Sequence, residues 1–349
     1  MKKFVFKIPV LVLVFSLLVL SCSKKEDFTE EETIIVNFEN GLSFRKASLK
    51  NQEIVFSLFD DDGNEITENV TYYVAGTALD GNTFSSDVEA EFEVYAVFIV
   101  DGIEYVTETD TFKVISPIKK LVVEDYTGTW CGNCPAVTAS IEEILTEAQD
   151  ITVIAIHNGD EFTLPFEQSL RDALDVAAGS PRARIDRTTT WGSGTNFPTE
   201  AVLGLVGNSV NSAISIKTSI SGATIFTEIS VASEAELSGR KLVVYLVEDD
   251  LVAPQENYFN GVEESPYFGL GNPIENFVHN HTLRHSFSNI VGDEIPTTSA
   301  LVDYTTNYTF DIPQDFVAEN LHIVAILTDM DNNAINSQHV HLGDNVSYE

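Results

Sequence analysis

Two cysteines, Cys131 and Cys134, stand three apart in "VVEDYTGTWCGNCPAV" (residues 122–137), directly after an apolar run. Three chemistries suit such a pair: a redox dithiol, half of a zinc knuckle, or a structural staple. Structural zinc takes four ligands, commonly two such pairs. The chain has one other cysteine, Cys22, and the nearest histidine is His157, so a zinc set falls short. A redox dithiol asks for more. A helix beginning just after Cys131 faces it with unpaired backbone N–H groups and the positive end of the helix dipole, which lowers a thiol pKa and raises its reactive fraction. The two-residue spacer lets Cys134 attack a mixed disulfide formed at Cys131. Pro135 suits a first helical turn, and Trp130 offers a flat contact beside the pair. On this reading Cys131 is exposed and Cys134 lies deeper in the helix. A staple needs none of these features, and it stays open.

The elements that hold the pair follow from hydrophobic periodicity. "KLVVEDYTG" is a strand, "PAVTASIEEILTEAQ" carries helical spacing through Val137, Ile141, Ile144 and Leu145, and "ITVIAIHNG" is a continuous apolar strand of the buried parallel type. "FEQSLRDALDVAAG" is again helical, with Gly179 as a stop, and "SPRARIDR" begins another strand. Residues 117–211 therefore form an α/β layer. Parallel strands bring their C-terminal ends to one edge, which puts His157 on the edge that carries Cys131. There it would tune the thiolate, bind substrate, or simply cap the strand. Residues 32–116 alternate apolar and polar, broken by Asp-Gly and Asn turns, and predict an immunoglobulin-like β-sandwich ended by Pro117. "DDDGNE" (60–65) is better read as a hairpin turn than as a calcium loop, because it lacks the later bidentate Glu. Residues 212–349 return to alternation and predict a C-terminal β-sandwich. The fold class is thus α/β plus all-β.

Residues 1–21 have a basic start and an apolar core too short for a membrane span, as in a secretory signal. The following "VLSCS" resembles the bacterial lipoprotein cleavage box, which implies lipidation of Cys22 and leaves residues 22–31 as a polar tether. With Cys22 acylated, only the CxxC pair remains for a disulfide, in a compartment that permits one. The charge is -35, about -38 without the signal's three lysines. That acidity, with no basic patch, excludes nucleic acid as a partner and limits membrane contact to the lipid anchor.

Outside the CxxC region, His279, His281 and His285 in "FVHNHTLRH" and His339 and His341 in "SQHVHLG" have strand spacing that suits either chelation or packing. Packing is the preferred reading, so no metal and no cofactor is assigned. "WGSG" (191–194) reads as an exposed glycine-rich loop.

"TWCGNCP" after an apolar strand looks like the thioredoxin superfamily. The resemblance implies that Asp125 is a buried acid serving the resolving thiol. It also implies that Ser180-Pro181 is the cis-proline turn bounding a substrate groove, with Trp130, Ser180 and His157 lining it. Asp125 and Glu124 face opposite sides of one strand, so one of them is expected at the surface. "VVEDYTGTWCGNCP", "IAIHNGD", "SPRARIDR" and "FVHNHTLRH" together resemble the twenty-eight-kilodalton outer membrane protein family of Bacteroidetes. Arg182 departs from the small or hydroxyl residue usual after the proline. The resemblance implies a lipid-anchored outer-membrane or cell-surface protein with a binding or adhesion role and a rigidifying disulfide. The alternative is a thiol–disulfide oxidoreductase acting on envelope proteins. Either way its partners are envelope or extracellular proteins.

Overall fold

In the computed structural model, which describes residues 34–36 and 41–349, alternation in the N-terminal segment produces a seven-stranded sheet. Its path runs Ile34–Val36, Ile103–Thr107, Ala90–Val100, Asp110–Ile115, Ala47–Leu49, with Val70–Val74 also paired to Ala90–Val100. Val94, Ala96 and Phe98 point inward and share a core with Ile54 and Leu58 from two short ribbons and Phe56 between them. The Asp60 carboxylate accepts the N–H groups of Asp62 and Asn64, so "DDDGNE" closes a turn between Phe59 and Glu65. The signal, Cys22 and the tether lie outside the described residues.

Next come β1 (Leu121–Thr127), α1 (Pro135–Glu147), β2 (Ile151–His157), α2 (Glu167–Ala173), β3 (Arg182–Ile185) and β4 (Thr189–Trp191). β1 runs parallel to β2 and antiparallel to β3, which pairs with β4, giving the order β4-β3-β1-β2. Every residue of β1 and β2 is buried because both faces are covered. Leu121, Val123, Ile151 and Val153 pack on α1, whereas Val122, Tyr126, Ile154 and Ile156 meet Leu170 and Leu174 around α2. α2 stops at Ala173, short of Gly179, and Asp175 takes the left-handed conformation that turns the chain. Trp191 is not in an exposed loop. It is buried against Phe197, and its indole N–H donates to the Pro198 carbonyl.

The sheet does not end at residue 211. β2 would leave an open edge, and the second half of the chain fills it. The strands concerned are β5 (Arg240–Glu248), β6 (Leu251–Gln255), β7 (Ile274–His279), β8 (Thr282–Ser286), β9 (Leu321–Asp329) and β10 (Ala334–His341). β8 joins β2 in parallel at Ala155–Thr282, and the sheet continues through β5, β9 and β10 to nine strands, counting Asp293–Glu294 against β5. A four-stranded sheet containing Ser212–Ser221 and Thr224–Ser233 packs over it, with Ile216 and Ile229 against Leu242, Val244 and Ile323. The protein is therefore mostly β, in several sheets with sandwich packing. β6 and β7 pair only with each other, as a two-stranded ribbon.

Candidate functional site

Cys131 and Cys134 form a disulfide at the head of α1. Cys134 is the N-cap of the helix rather than a residue inside it, and Pro135 opens the first turn. Cys131 precedes the helix in a turn that donates its N–H to the Gly128 carbonyl. The expected exposure of Cys131 is absent: it is 3% exposed and Cys134 1%. A strap leading out of β6 is bonded along this turn. The Gln255 side-chain amide donates to the Cys131 carbonyl at 2.9 Å, and the N–H groups of Glu256 and Tyr258 donate to the carbonyls of Thr129 and Gly132. The Tyr258 ring lies so close over Gly132 that a Cβ there would overlap it. Asn257, buried and bonded to the carbonyls of Tyr267 and Gly271, pins the loop that follows. Trp130 remains 44% exposed, its N–H on the Asn158 carbonyl.

Asp125 is buried on the α1 side of β1, and its Oδ1 has no hydrogen-bond partner. Burial pushes its carboxyl up to about 8, against a modest pull from the Arg171 charge. Glu124, the residue expected at the surface if Asp125 turned inward, is also fully buried. The sheet has no solvent face here, because Tyr126, Arg187 and Tyr245 cover it. Glu124 receives the Arg187 guanidinium at 3.1 Å and the Tyr126 hydroxyl at 3.0 Å, and Arg187 reaches the Tyr245 hydroxyl at 3.1 Å. Burial raises the Glu124 carboxyl, opposed by Arg187 and Tyr126.

The other predicted residues sit in two bonded sets that start from the adjacent His157 and Asn158. His157 ends β2, buried, with Nδ1 at 2.7 Å from Asp160; that carboxylate also accepts the Thr129 N–H at 2.9 Å. Burial alone would raise Asp160, but the bonds from His157 and the backbone hold it below its usual value. The Asn158 amide donates to Glu167, Glu167 pairs with Arg171, and Arg171 donates to the carbonyls of Ala177 and Gly179. This fixes the loop before Ser180-Pro181, whose peptide bond is cis. Arg182 pairs with Tyr126 across β3 and β1, which sets Pro181 level with the end of β1. The Arg182 guanidinium folds back on the carbonyls of Pro181 and Ala178.

The histidines divide. His279 stacks edge-on against His157, with ring centres 5.2 Å apart. His285 stacks on Phe310 in the sandwich core. His281 falls in the β7–β8 turn with positive φ, so it does not share a strand face with His279. It meets Asp249 together with His322, which in turn packs on His341. His339 bonds Thr152 at 3.1 Å. Among the described residues no group of three or more His, Cys, Asp or Glu side chains is arranged to hold a metal. Sequence reasoning missed Gln255, Tyr258, Arg187, Asp160 and Asp249. Arg187 and Asp160 lay within motifs already singled out, "SPRARIDR" and "IAIHNGD", but nothing local marks the one as a core cation or the other as the partner of His157.

These features define a β-rich protein in which an α/β layer, carrying a covered CxxC disulfide, is fused edge to edge with a sandwich sheet. The chain belongs to the outer membrane protein Omp28 family, whose model matches residues 167–346. Membership places it at the outer membrane. Among solved structures it is similar to HBP35 of Porphyromonas gingivalis, with 20% identity and a TM-score of 0.53, over 65% of this chain and 76% of that one. That likeness supports the fold. A β-glucosidase from Kluyveromyces marxianus aligns with 86% of this chain and 46% of its own at 7% identity and a TM-score of 0.17, which carries nothing further. No curated protein matches. Among the described residues no helix is long and apolar enough to cross a membrane.

Proposed function

We propose that the chain is a binding protein of the outer membrane, lipid-anchored through Cys22, in which residues 117–211 are a thioredoxin-like domain retained as a scaffold. The strand order β4-β3-β1-β2, the CxxC between β1 and α1, and the cis Ser180-Pro181 bond support the thioredoxin-like assignment. Residues 32–116 serve as an immunoglobulin-like module and residues 212–349 as the C-terminal β-rich part. The observation that carries the binding role is the burial of both cysteines in a turn to which the Gln255–Tyr258 strap is hydrogen-bonded. A disulfide closed in this way fixes the head of α1 and presents no sulfur to a partner. Trp130 and Tyr258, 44% and 64% exposed, stand at the same end and offer contact to envelope or extracellular proteins.

Thiol–disulfide exchange is the second reading, favoured by the unpartnered Asp125 carboxyl beneath α1. In it, the Cys131 thiolate would attack a substrate disulfide, and Cys134 would then displace the reduced substrate, leaving the protein oxidised by two electrons. A Cys134→Ala variant expressed in cells separates the two. The scaffold reading expects no mixed-disulfide adducts at Cys131, and a wild-type reduction potential below about -300 mV, the range of structural disulfides. Adducts that disappear in a Cys131→Ala, Cys134→Ala double variant would establish exchange.

A further inference from the structure

A cavity of about 280 Å³ lies between α1, the α1-facing side of β1 and β2, and the β6–β7 ribbon. Apolar side chains form part of its wall, with Leu145 of α1, Val153 of β2 and Phe277 of β7 among them. Polar side chains, Gln255, Asn280 and Thr138 among them, share the lining, and two polar atoms in it stand out. Asp125 Oδ1 and His279 Nε2 are buried and have no hydrogen-bond partner. A buried polar atom without a partner is costly, and a bound molecule removes the cost. The Ala253 backbone favours a proton on the His279 ring, and since Nε2 is unpartnered that proton belongs on Nδ1. The Nδ1 proton is thereby committed, so Nε2 is left as an acceptor. His279 Nε2 and the ionised Asp125 carboxylate thus accept hydrogen bonds, the described lining residues include no Lys or Arg, and Glu142 adds a second carboxyl at the rim.

We propose that this cavity binds a small organic ammonium, a primary amine on a compact apolar body, with Asp125 and His279 as acceptors. The Phe277 ring adds a cation–π face. A cavity of about 150 Å³ already admits benzene, so the volume here suits a benzene-sized body with one aminomethyl group. The site goes beyond the scaffold reading and does not depend on it, because it holds whether or not the disulfide turns over. Groups that face Asp125 are Glu142 from α1, His157 from β2, and His279, His281 and Tyr267 from the ribbon and its flanks, with the Arg171 charge reaching it from α2. With the empty carboxyl titrating at about 8, the ionised form that pairs with an ammonium is the minor one at pH 7. Affinity then rises about fivefold from pH 7 to pH 8, in proportion to the competent fraction.

The test is calorimetric titration of the mature, disulfide-intact chain with benzylamine, benzyl alcohol and benzoate. The expected result is saturable benzylamine binding at least tenfold tighter than benzyl alcohol, no benzoate binding, and the rise with pH. Asp125→Asn abolishes the preference for the amine. Leu145→Trp, which fills the cavity from a half-buried helix position, removes binding while circular dichroism stays native. Equal affinity for amine and alcohol, binding of none of the three, or benzylamine affinity unchanged in Leu145→Trp would each overturn the proposal. The ligand comparison, the pH profile and Leu145→Trp decide the matter even if Asp125→Asn does not fold.

Discussion

Asp125 shows how a single side chain carries a cost that its strand does not reveal. Its carboxyl is buried without a full set of partners, and its folded value of about 8 lies far above the ordinary 3.8. The folded state therefore binds a proton that the unfolded chain has already released. Stability is unpenalised below the unfolded value, falls as pH rises through the interval from 3.8 to 8, and is lowest above it. Asp125→Asn should remove most of that penalty. We expect a gain of about 3–5 kcal/mol at pH 8, since each tenfold change in proton affinity is worth roughly 1.4 kcal/mol. The gain should vanish near pH 3, as read from urea midpoints at the two pH values. A flat difference across pH would mean that the carboxyl is solvated. Gly132 tests the strap at the same scale. A methyl group there overlaps Cγ, Cδ1 and Cε1 of Tyr258, so the exposed ring has to swing off Gly132. Gly132→Ala should speed reduction of the Cys131–Cys134 disulfide several-fold while leaving stability within about 1 kcal/mol. An unchanged reduction rate would show that the strap's backbone bonds, not the ring, close the site.

At the scale of elements, β1 is gripped from both faces by unlike means. One face packs Leu121 and Val123 on α1, with Asp125 at its end. The other carries Glu124 against Arg187, whose guanidinium spans to Tyr245 of β5 and the Ile290 carbonyl. This network joins the α/β strands to the sandwich strands underneath the shared sheet. Removing one member strands a buried charge. Arg187→Met should cost about 3–5 kcal/mol, and adding Glu124→Leu should recover most of the loss, since a buried pair is worth little more than a well-packed apolar substitute. A double-mutant cycle in urea checks both values. If the double variant were as unstable as Arg187→Met alone, the network would hold the junction by geometry rather than by cancelling charge.

For the molecule as a whole, the N-terminal sheet is tied to the rest by Asp303. Its carboxylate accepts from Arg45 and Gln52, both at 2.6 Å, and from the Tyr348 hydroxyl at 3.0 Å. Ala47 and Leu49 pack there against Ala213, Ala232 and Tyr348. Asp303→Ala leaves the Gln52 and Tyr348 donors without that acceptor in a largely closed junction. We expect calorimetry to resolve an early transition for the N-terminal module, lowered by roughly 5 °C, which is what about 1 kcal/mol does to a domain of this size. A single unshifted transition would assign the coupling to the apolar contacts alone.

Much of this was written locally. The strand–helix–strand order around Cys131 and Cys134, the buried run of β2, the alternation of the N-terminal segment and the strands after residue 212 all follow from periodicity, which a few neighbouring residues determine. Composition set the acidic character in the same way. Exposure was not written there. Cys131 is buried in a turn whose carbonyl is bonded by Gln255, 124 residues away, and Glu124 is buried against Arg187, which reaches Tyr245. The histidine pairs looked alike in spacing, yet they were sent to a cavity, a core and an Asp249 cluster by a turn and by strand pairing. A residue's type and spacing limit the chemistry it can perform. What covers it, and so whether that chemistry reaches a partner, depends on which distant segment packs over its face, and only the tertiary structure chose that.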